Sequence, residues 1–252
     1  MSTLLDKVAV VVGGGTGIGA GIAQGFAQAG CKVVVAGRRL EPLAALAEET
    51  RAQHKIQTRS VDVADRATVD DLFAWVKQEL GPIDIVCNAA GINVPTRTMA
   101  QMQPEQWDQV MAINATGGYN VMNAVLPDMR QRGDGLIINI SSIAGKRAIQ
   151  LGGIAYCASK FAMTAMGTAA SNEVRNEGVR ITNVYPGEVN TPLLDKRPTP
   201  VSQEHRDSIL QPEDFGAIMV AIASLPPRAH VPEIVLKPTV QEWFWERPRY
   251  RI

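Results

Sequence analysis

The stretch VVVGGGTGIGAGIA, residues 10–23, decides the fold, because it joins a β-branched strand to a helix through a cluster of glycines. Glycines at such a turn let the backbone bend sharply and approach a pyrophosphate, whose charge the N–H groups of the following helix can meet. Two registers are open: a G-x-G-x-x-A pattern that begins at Gly15, and a longer G-x-x-x-G-x-G pattern that begins at Gly13. In either register, the position after the first strand predicts a dinucleotide site.

Strand-like and helix-like segments alternate outward from this turn. Apolar strands separated by helices of about 10–15 residues predict a parallel sheet with helices on both faces. The predicted strands are 7–12, 32–37, 56–63, 83–91, 136–141, 180–185 and 232–238, and the predicted helices are 18–30, 40–53, 66–80, 104–131, 155–177 and 212–225. No linker or repeat interrupts the pattern. We therefore expect a single doubly wound α/β domain over residues 1–252, with seven parallel strands.

Composition and charge exclude several classes of function. Of the 252 residues, 46% are hydrophobic, which is enough for a large core, and 25 basic residues balance 25 acidic ones. This balance predicts no nucleic-acid partner and no anionic membrane partner. The three cysteines lack zinc-site spacing and the three histidines are scattered, so we expect buried reduced thiols and no metal. The N-terminus lacks the features of a signal peptide, and no apolar run is long enough to span a membrane, which predicts a cytoplasmic protein.

The end of the second predicted strand, VVVAGRR, indicates which dinucleotide is bound. NAD enzymes place an acidic residue here to accept from the ribose 2′-hydroxyl, but this chain has Gly37 followed by Arg38 and Arg39. A guanidinium group matches a phosphate well, so the pattern favours NADP over NAD. The alternative is that both arginines are solvated at the start of a helix.

The segment IAYCASKFAM, residues 154–163, places Tyr156 and Lys160 one helical turn apart. Side chains at i and i+4 share a helix face, with Cβ atoms roughly 5–6 Å apart. A cation at that distance would lower the pKa of a phenol from its ordinary value of about 10. The alternative is a packed tyrosine beside a solvated lysine.

These features together resemble the short-chain dehydrogenase/reductase family over about residues 5–240. The motifs that carry the resemblance, besides Tyr156-x-x-x-Lys160, are VGGGTGIG (12–19), Asp62-Val63, NAAG (88–91), Asn114 in INATGG, ISS (140–142) and PGEVNT (186–191). The resemblance implies a Rossmann-type NAD(P)-binding domain that catalyses hydride transfer between a carbonyl compound and its alcohol.

The chain departs from the family pattern at three places. Val12 stands where the family usually has Thr, and Ala89 stands where it has a second Asn. Ser142 lies fourteen residues before Tyr156, one more than is usual. Ser141 is adjacent, but an extra residue in the following loop is easier to accommodate than a shifted strand, because strand register decides where a side chain points. We therefore expect Ser142 to be the catalytic serine.

The resemblance also implies the roles of individual residues. Tyr156 would be the general acid/base, Lys160 would lower its pKa and hold the nicotinamide ribose, Ser142 would donate to the substrate oxygen, and Asn114 would anchor water in a proton relay. The implied cofactor-binding residues are Gly13, Gly15, Thr16, Gly17, Ile18, Gly19, Arg38, Arg39, Asp62, Val63, Asn88, Ala89, Gly91, Tyr156, Lys160, Pro186, Gly187, Val189 and Thr191.

The substrate is less well defined by the sequence. The expected substrate loop, 192–211, is short, charged and rich in proline, which favours a small polar carbonyl compound. The C-terminal part resembles the branch of bacterial NADP-dependent 3-hydroxy-acid (serine-type) dehydrogenases and clavulanate dehydrogenase. Lys146 and Arg147 are candidates to bind a substrate carboxylate, although such residues are more often solvated.

Two other functions stay open at this point. A 3-oxoacyl-carrier-protein reductase would need a basic patch for its acidic carrier, which Arg130 and Arg132 or Lys146 and Arg147 could loosely supply. A non-catalytic NADP-sensing regulatory protein on the same fold would tolerate loss of the catalytic residues, yet all four are present.

The tail, residues 241–252, reads QEWFWERPRYRI and contains four aromatic residues, Trp243, Phe244, Trp245 and Tyr250. Exposed aromatic surface of this kind invites association, and aromatic and arginine side chains are enriched among interface anchors. We therefore expect a homotetramer, as is common in the family, in which the tail packs on a neighbouring subunit. The alternative is a tail that folds onto its own subunit.

Overall fold

The computed structural model describes residues 4–241, so the aromatic residues of the tail lie outside the described residues. The strands are β1 Val8–Val12, β2 Lys32–Gly37, β3 Gln57–Ser60, β4 Ile85–Asn88, β5 Gly135–Ile140, β6 Val179–Pro186 and β7 Glu233–Leu236. The α-helices are α1 Gly17–Gln28, α2 Leu40–Glu49, α3 Arg66–Leu80, α4 Pro104–Met111, α5 Gly117–Arg132, α6 Ile154–Val174, α7 Gln203–Ser208 and α8 Pro212–Ala223.

The seven strands form one parallel sheet in the order β3-β2-β1-β4-β5-β6-β7. Because side chains alternate along a strand, β1 contributes to two cores. Ala9 and Val11 pack with α1, α2 and α8 on one face, whereas Val8, Val10 and Val12 pack with α3, α5 and α6 on the other. The seven-stranded doubly wound fold predicted from the sequence is thus confirmed.

The chain direction across the sheet reverses beside β1. The connections that follow β1 lead outward to β2 and β3, and the next strand, β4, returns to the opposite side of β1. Loops leaving the carboxyl ends of β1 and β4 therefore diverge and leave a crevice, which is where open α/β sheets bind their ligands.

The bounds of several predicted elements differ from the structure, and one predicted helix is divided. The helix predicted over 104–131 is divided by a π-helical turn, Ala112–Thr116, in which the Gly117 N–H donates to the carbonyl of Ala112. Inserted turns of this type often mark functional sites, and this one contains Asn114. The strand predicted over 56–63 is also shorter, since β3 covers only Gln57–Ser60 and is mostly exposed, as suits a polar edge strand.

The three cysteines are buried, as the sequence predicted. Cys31, Cys87 and Cys157 are buried free thiols, and burial raises the pKa of Cys31 to about 12. Within residues 4–241, no helix has the length and apolar character needed to cross a membrane. The same part of the chain contains no cluster of three or more His, Cys, Asp or Glu side chains suited to hold a metal ion.

Candidate active site

A cleft of about 710 Å³ opens at the carboxyl ends of the central strands. It is lined by the glycine turn after β1, the end of β2, the segment after β4, the end of β5, the first turns of α6 and the segment after β6. Most of the predicted site residues meet here: Gly13, Gly15, Thr16, Gly17, Ile18, Gly19, Arg38, Arg39, Val63, Ala89, Gly91, Ser142, Tyr156, Lys160, Pro186, Gly187, Val189 and Thr191.

The glycine turn has the geometry of a phosphate cradle. Gly13 has φ +79°, and a Cβ atom at this position would lie 2.5 Å from the Ala90 amide nitrogen. Only glycine fits a backbone of that conformation so close to another segment. Helix α1 begins at Gly17, and its N-cap, Thr16, makes no side-chain capping hydrogen bond. Gly17, Ile18 and Gly19 at the start of α1 line the cleft, and no side chain of residues 4–241 caps their N–H groups, which suits an anionic pyrophosphate.

The end of β2 presents positive charge to the same cleft. Arg38 and Arg39 are both exposed and line it beside Gly37. Among residues 4–241, neither arginine belongs to an ion pair. A guanidinium group without a carboxylate partner at this position suits the 2′-phosphate of NADP better than a ribose hydroxyl. The residues of the cleft therefore fit the cofactor that the sequence predicted.

Tyr156 and Lys160 project from the first two turns of α6 into the cleft. Lys160 is buried, and its ammonium group donates to the carbonyl of Ile140, at the end of β5, over 2.8 Å. The ammonium lies 5.6 Å from the centre of the Tyr156 ring. The helical spacing thus places the two groups on one face, as predicted.

The electrostatics of this pair differ from the expectation. Burial raises the pKa of Tyr156, and a hydrogen bond with Ser142 and the charge of Arg97 act in the opposite direction. Burial also lowers the pKa of Lys160 to about 8. The Lys160 ammonium is directed at the Ile140 carbonyl and the dominant effect on the pKa of Tyr156 is burial, so the prediction that Lys160 lowers the pKa of the phenol stays a prediction.

The choice between the two serines is supported by their partners. The Ser142 hydroxyl lowers the pKa of the Tyr156 phenol, and it accepts from the Ala144 N–H at 3.1 Å. The Ser141 hydroxyl instead donates to the main-chain carbonyl of Lys160 at 3.0 Å. Ser142 is therefore in contact with the candidate acid/base, while Ser141 fastens the end of β5 to α6.

Asn114 lies behind the wall of the cleft rather than on its surface. Its side-chain amide is fully buried. The amide oxygen accepts from the Ile92 N–H at 2.8 Å. The amide nitrogen donates to the Ile92 carbonyl at 2.9 Å and to the Ser159 hydroxyl at 3.0 Å. A Cβ atom at Gly91 would lie 3.4 Å from the Lys160 ammonium and 3.6 Å from the Asn114 oxygen. Asn114 thus holds the segment after β4 in place next to Lys160.

Two predicted cofactor residues are also set back from the cleft. Asp62 follows β3, and its carboxylate accepts from the Ala64 N–H at 3.0 Å, while its neighbours Val61 and Val63 form the lining. Asn88, the last residue of β4, is buried, and its side-chain nitrogen lies 3.9 Å from the sulfur of Met163. The Asn88 side-chain oxygen is buried without a hydrogen-bond partner among the described residues.

The basic residues suggested to bind a substrate carboxylate are elsewhere. Lys146 forms an ion pair with Glu233 at 2.5 Å, and its ammonium lies 4.3 Å from the centre of the Tyr185 ring. Neither Lys146 nor Arg147 lines the cleft. That suggestion is therefore corrected: Lys146 fastens the end of β5 to β7. The cleft is lined instead by three basic residues that the sequence did not single out, Arg97, Lys196 and Arg197.

The expected substrate loop, 192–211, is folded and is tied to the cleft by ion pairs. It contains a short 3₁₀ helix, Pro192–Lys196, followed later by α7. Glu188, just after β6, pairs with Arg197 at 2.9 Å and with His205 at 2.6 Å. Leu193 and Leu194 also line the cleft, which gives its outer end a mixed apolar and charged surface.

Comparisons with known proteins agree with this geometry. Residues 7–201 match the family model described as short chain dehydrogenase. An uncharacterised oxidoreductase of Staphylococcus saprophyticus is 34% identical over 240 residues, which covers 94% of this chain and all of the relative.

Two solved structures are also similar. The closed form of a serine dehydrogenase complexed with NADP⁺ has a TM-score of 0.85 and 28% identity, and the match covers 94% of this chain and 97% of that one. A metagenomic short-chain oxidoreductase in complex with NADP has a TM-score of 0.81 and 29% identity, and the match covers 95% of this chain and all of that one. The chain therefore belongs to the short-chain dehydrogenase/reductase family of oxidoreductases, in a branch that resembles the serine dehydrogenases.

Proposed function

We propose that this protein is an NADP-dependent oxidoreductase that interconverts a small polar carbonyl compound and its secondary alcohol. One observation carries the proposal: Ser142 and Tyr156, with Lys160 one turn further along α6, line the same cleft as the glycine turn and Arg38 and Arg39. Acid/base chemistry and dinucleotide binding are thus available at the same place.

Tyr156 acts as the general acid/base. Because burial raises the pKa of its phenol, the hydroxyl keeps its proton at neutral pH and can give it to a carbonyl oxygen during reduction. The Ser142 hydroxyl donates a hydrogen bond to the same oxygen and stabilises the negative charge that develops there. In the reverse direction, Tyr156 takes the proton of the alcohol, a step that the positive charge of Lys160 assists.

The cofactor would be held by the residues that already form the cradle. NADPH, when bound, supplies the hydride that reduces the carbonyl carbon. The N–H groups at the start of α1 meet the pyrophosphate and Arg38 meets the 2′-phosphate. Val61 and Val63, beside Asp62, would offer an apolar wall for the adenine, and Lys160 and the segment after β6, which also line the cleft, would hold the nicotinamide riboside.

The similarity to serine dehydrogenases supports a small polar substrate for this chain as well. Two alternative functions have less support. A 3-oxoacyl-carrier-protein reductase would use Lys146 or Arg130 to dock an acidic carrier, yet both take part in ion pairs, with Glu233 and with Glu173 and Glu177. An NADP-sensing regulatory protein would not need Ser142, Tyr156 and Lys160 together in the cleft. We place the protein in the cytoplasm on the basis of its sequence.

The test is a panel of small aldehydes, ketones and hydroxy acids, assayed with NADPH or NADP⁺ and in parallel with NADH or NAD⁺. Tyr156→Phe keeps the packing of the ring and removes only the proton, so kcat should fall by about 10²–10⁴-fold while NADPH still binds. Turnover close to that of the wild type in the Phe variant would remove Tyr156 from the mechanism. NADPH binding without turnover of any compound would favour the regulatory alternative.

We also propose that the protein is a homotetramer, supported by the aromatic and arginine content of residues 241–252. Deletion of these residues should then reduce the mass measured by light scattering. A deletion variant that keeps the mass of a tetramer would favour a tail that folds onto its own subunit.

A further inference from the structure

The charge of the cleft differs from that of the chain. The whole sequence has equal numbers of basic and acidic residues. The charged side chains that line the cleft within residues 4–241 are instead six cations and one carboxylate, Glu188. The cations are Arg38, Arg39, Arg97, Lys160, Lys196 and Arg197. A bound NADP would account for the two arginines at β2, and acid/base chemistry accounts for Lys160, which leaves three cations at the substrate end.

Arg97 is the most firmly held of these three. Its Nη1 atom donates to the carbonyls of Leu151 at 2.7 Å and Gly152 at 3.3 Å, and its Nη2 atom donates to the carbonyl of Lys196 at 2.7 Å. Its own carbonyl accepts from the Ile154 N–H at the start of α6. The aliphatic part of the side chain lies against Gly153, where a Cβ atom would be 2.9 Å from three Arg97 carbons. These bonds hold the guanidinium group beside the loop that leads into α6, the helix that carries Tyr156.

The positive charge of Arg97 has no acidic partner among the described residues. All three of its hydrogen-bond acceptors are neutral carbonyls, and no ion pair within residues 4–241 includes it. Its Nε–H group is buried without an acceptor in that part of the chain. Burial lowers the pKa of Arg97, and the charge of another cation, Arg197, lowers it further. Glu188 is already shared between Arg197 and His205.

We infer that Arg97 is the specificity-determining residue for an anionic substrate, and that the carbonyl compound carries a carboxylate which binds between Arg97 and Arg197. The inference rests on the proposed function, because it assigns the substrate class of that same cleft. A carboxylate here would provide the missing counter-charge and accept hydrogen bonds from two guanidinium groups. With its carboxylate held there, the substrate can place its carbonyl oxygen at Tyr156 and Ser142, which line the same cleft. Its class is therefore a short oxo acid or hydroxy acid.

The test compares each acid with its uncharged ester. We would measure kcat/KM with NADPH for pyruvate, acetoacetate and levulinate, each beside its methyl ester, so that both the charge and its distance from the carbonyl vary. The wild type should prefer at least one acid over its ester. Arg97→Gln should reduce that preference by about 10–100-fold, as expected for hydrogen bonds to a charged group, and Arg97→Lys should retain part of it. Arg175→Gln, an exposed position at the far end of α6, removes the same charge and should change nothing.

A structural role for Arg97 predicts a different pattern. If Arg97 only joins the three loops, its substitution lowers the rates for acid and ester equally, the ratio stays constant and the inference is overturned. The inference would also be overturned if Arg147→Gln, and not Arg97→Gln, reduced the preference for an acid over its ester.

Failure of the proposed function can be told apart from failure of this inference. If none of the six compounds is reduced, their binding to the NADP⁺ complex is measured by calorimetry. Tighter binding of an acid than of its ester, lost in Arg97→Gln, would still support the anion site. Equal binding of acid and ester would exclude it.

Discussion

The two ends of the cleft are built in different ways. The cofactor end, residues 12–19, 37–43 and 89–91, is formed largely by main chain: glycine turns, the start of α1 and the segment after β4. The substrate end, formed by residue 97, residues 149–152 and residues 192–197, depends on side chains and on the ion pairs of Glu188 with Arg197 and His205.

This difference indicates which end of the cleft can tolerate amino-acid substitutions. Main chain presents the same N–H groups whatever side chains surround it, so the cofactor end needs only glycine where a Cβ atom would collide. Side chains can be exchanged without changing the fold, so the substrate end can differ between relatives that share a cofactor. Substitutions at the cofactor end should therefore affect folding and cofactor binding together, whereas those at the substrate end should affect selectivity.

The largest effect is expected at Gly13, which tests whether the cofactor end depends on its main chain. Gly13→Ala should lose about 1–3 kcal/mol of unfolding free energy to backbone strain and about 1–3 kcal/mol more to the collision with Ala90. Gly81→Ala is the matched control, because Gly81 also has positive φ but a Cβ atom there would meet no described atom within 4 Å. Urea unfolding and NADPH titration of both variants measure the difference. Equal losses would show that strain, and not the close approach, is what requires glycine.

The next effect concerns Lys160, where the two ends of the cleft meet. Its pKa is lowered by burial to about 8 from an ordinary value of 10.5. Between these values the unfolded chain binds more protons than the folded protein, so the free energy of unfolding should rise with pH. Met at position 160 cannot titrate. Compared with Lys160→Met, the wild type should therefore gain at most about 3 kcal/mol of unfolding free energy as the pH rises between these two pKa values.

Urea unfolding of both proteins without cofactor, at pH 8, 9 and 10, measures this gain. Lys77→Met removes an exposed lysine and should leave the pH profile of the wild type unchanged. Titrations shared by the wild type and Lys160→Met cancel in the comparison. Parallel profiles for these two proteins would mean that Lys160 is not buried as a charged group in the cofactor-free protein.

A smaller effect should separate the two cofactors. If Arg38 binds the 2′-phosphate, Arg38→Ala should weaken NADPH by about 1.5–3 kcal/mol and leave NADH nearly unchanged, because only NADPH carries that phosphate. Arg51→Ala, at an exposed position outside the cleft, is the control for loss of a positive charge. Fluorescence titration with each cofactor gives the dissociation constants. Equal weakening of both cofactors would show that Arg38 supports the turn rather than the phosphate.

The cofactor end could be predicted from sequence because its signals are local. The turn that begins at Gly13 and the spacing of Tyr156 and Lys160 each lie within a few residues of chain. The position of Arg97 could not be predicted in this way, because its guanidinium group bonds to carbonyls 54 and 99 residues away. The π-helical turn around Asn114 was missed as well, since the periodicity of its flanking helices hides one inserted residue.

The smallest effect tests the position of Lys146, one of two residues that the sequence offered as candidates to bind a substrate carboxylate. In the structure its ammonium joins Glu233, whose carboxylate also accepts from the Tyr185 hydroxyl at 2.9 Å. The side chains of Lys146 and Glu233 are 23% and 42% exposed, so solvent screens the pair and Lys146→Gln should cost no more than about 1 kcal/mol of unfolding free energy. Glu233→Gln should cost a similar amount, and the double variant should cost less than the sum, which urea unfolding measures. Neither single variant should alter the preference for an acid over its ester. A change in that preference with Lys146→Gln would show that the substrate end of the cleft extends past β5, and that its selectivity depends on more than the arginines next to Tyr156.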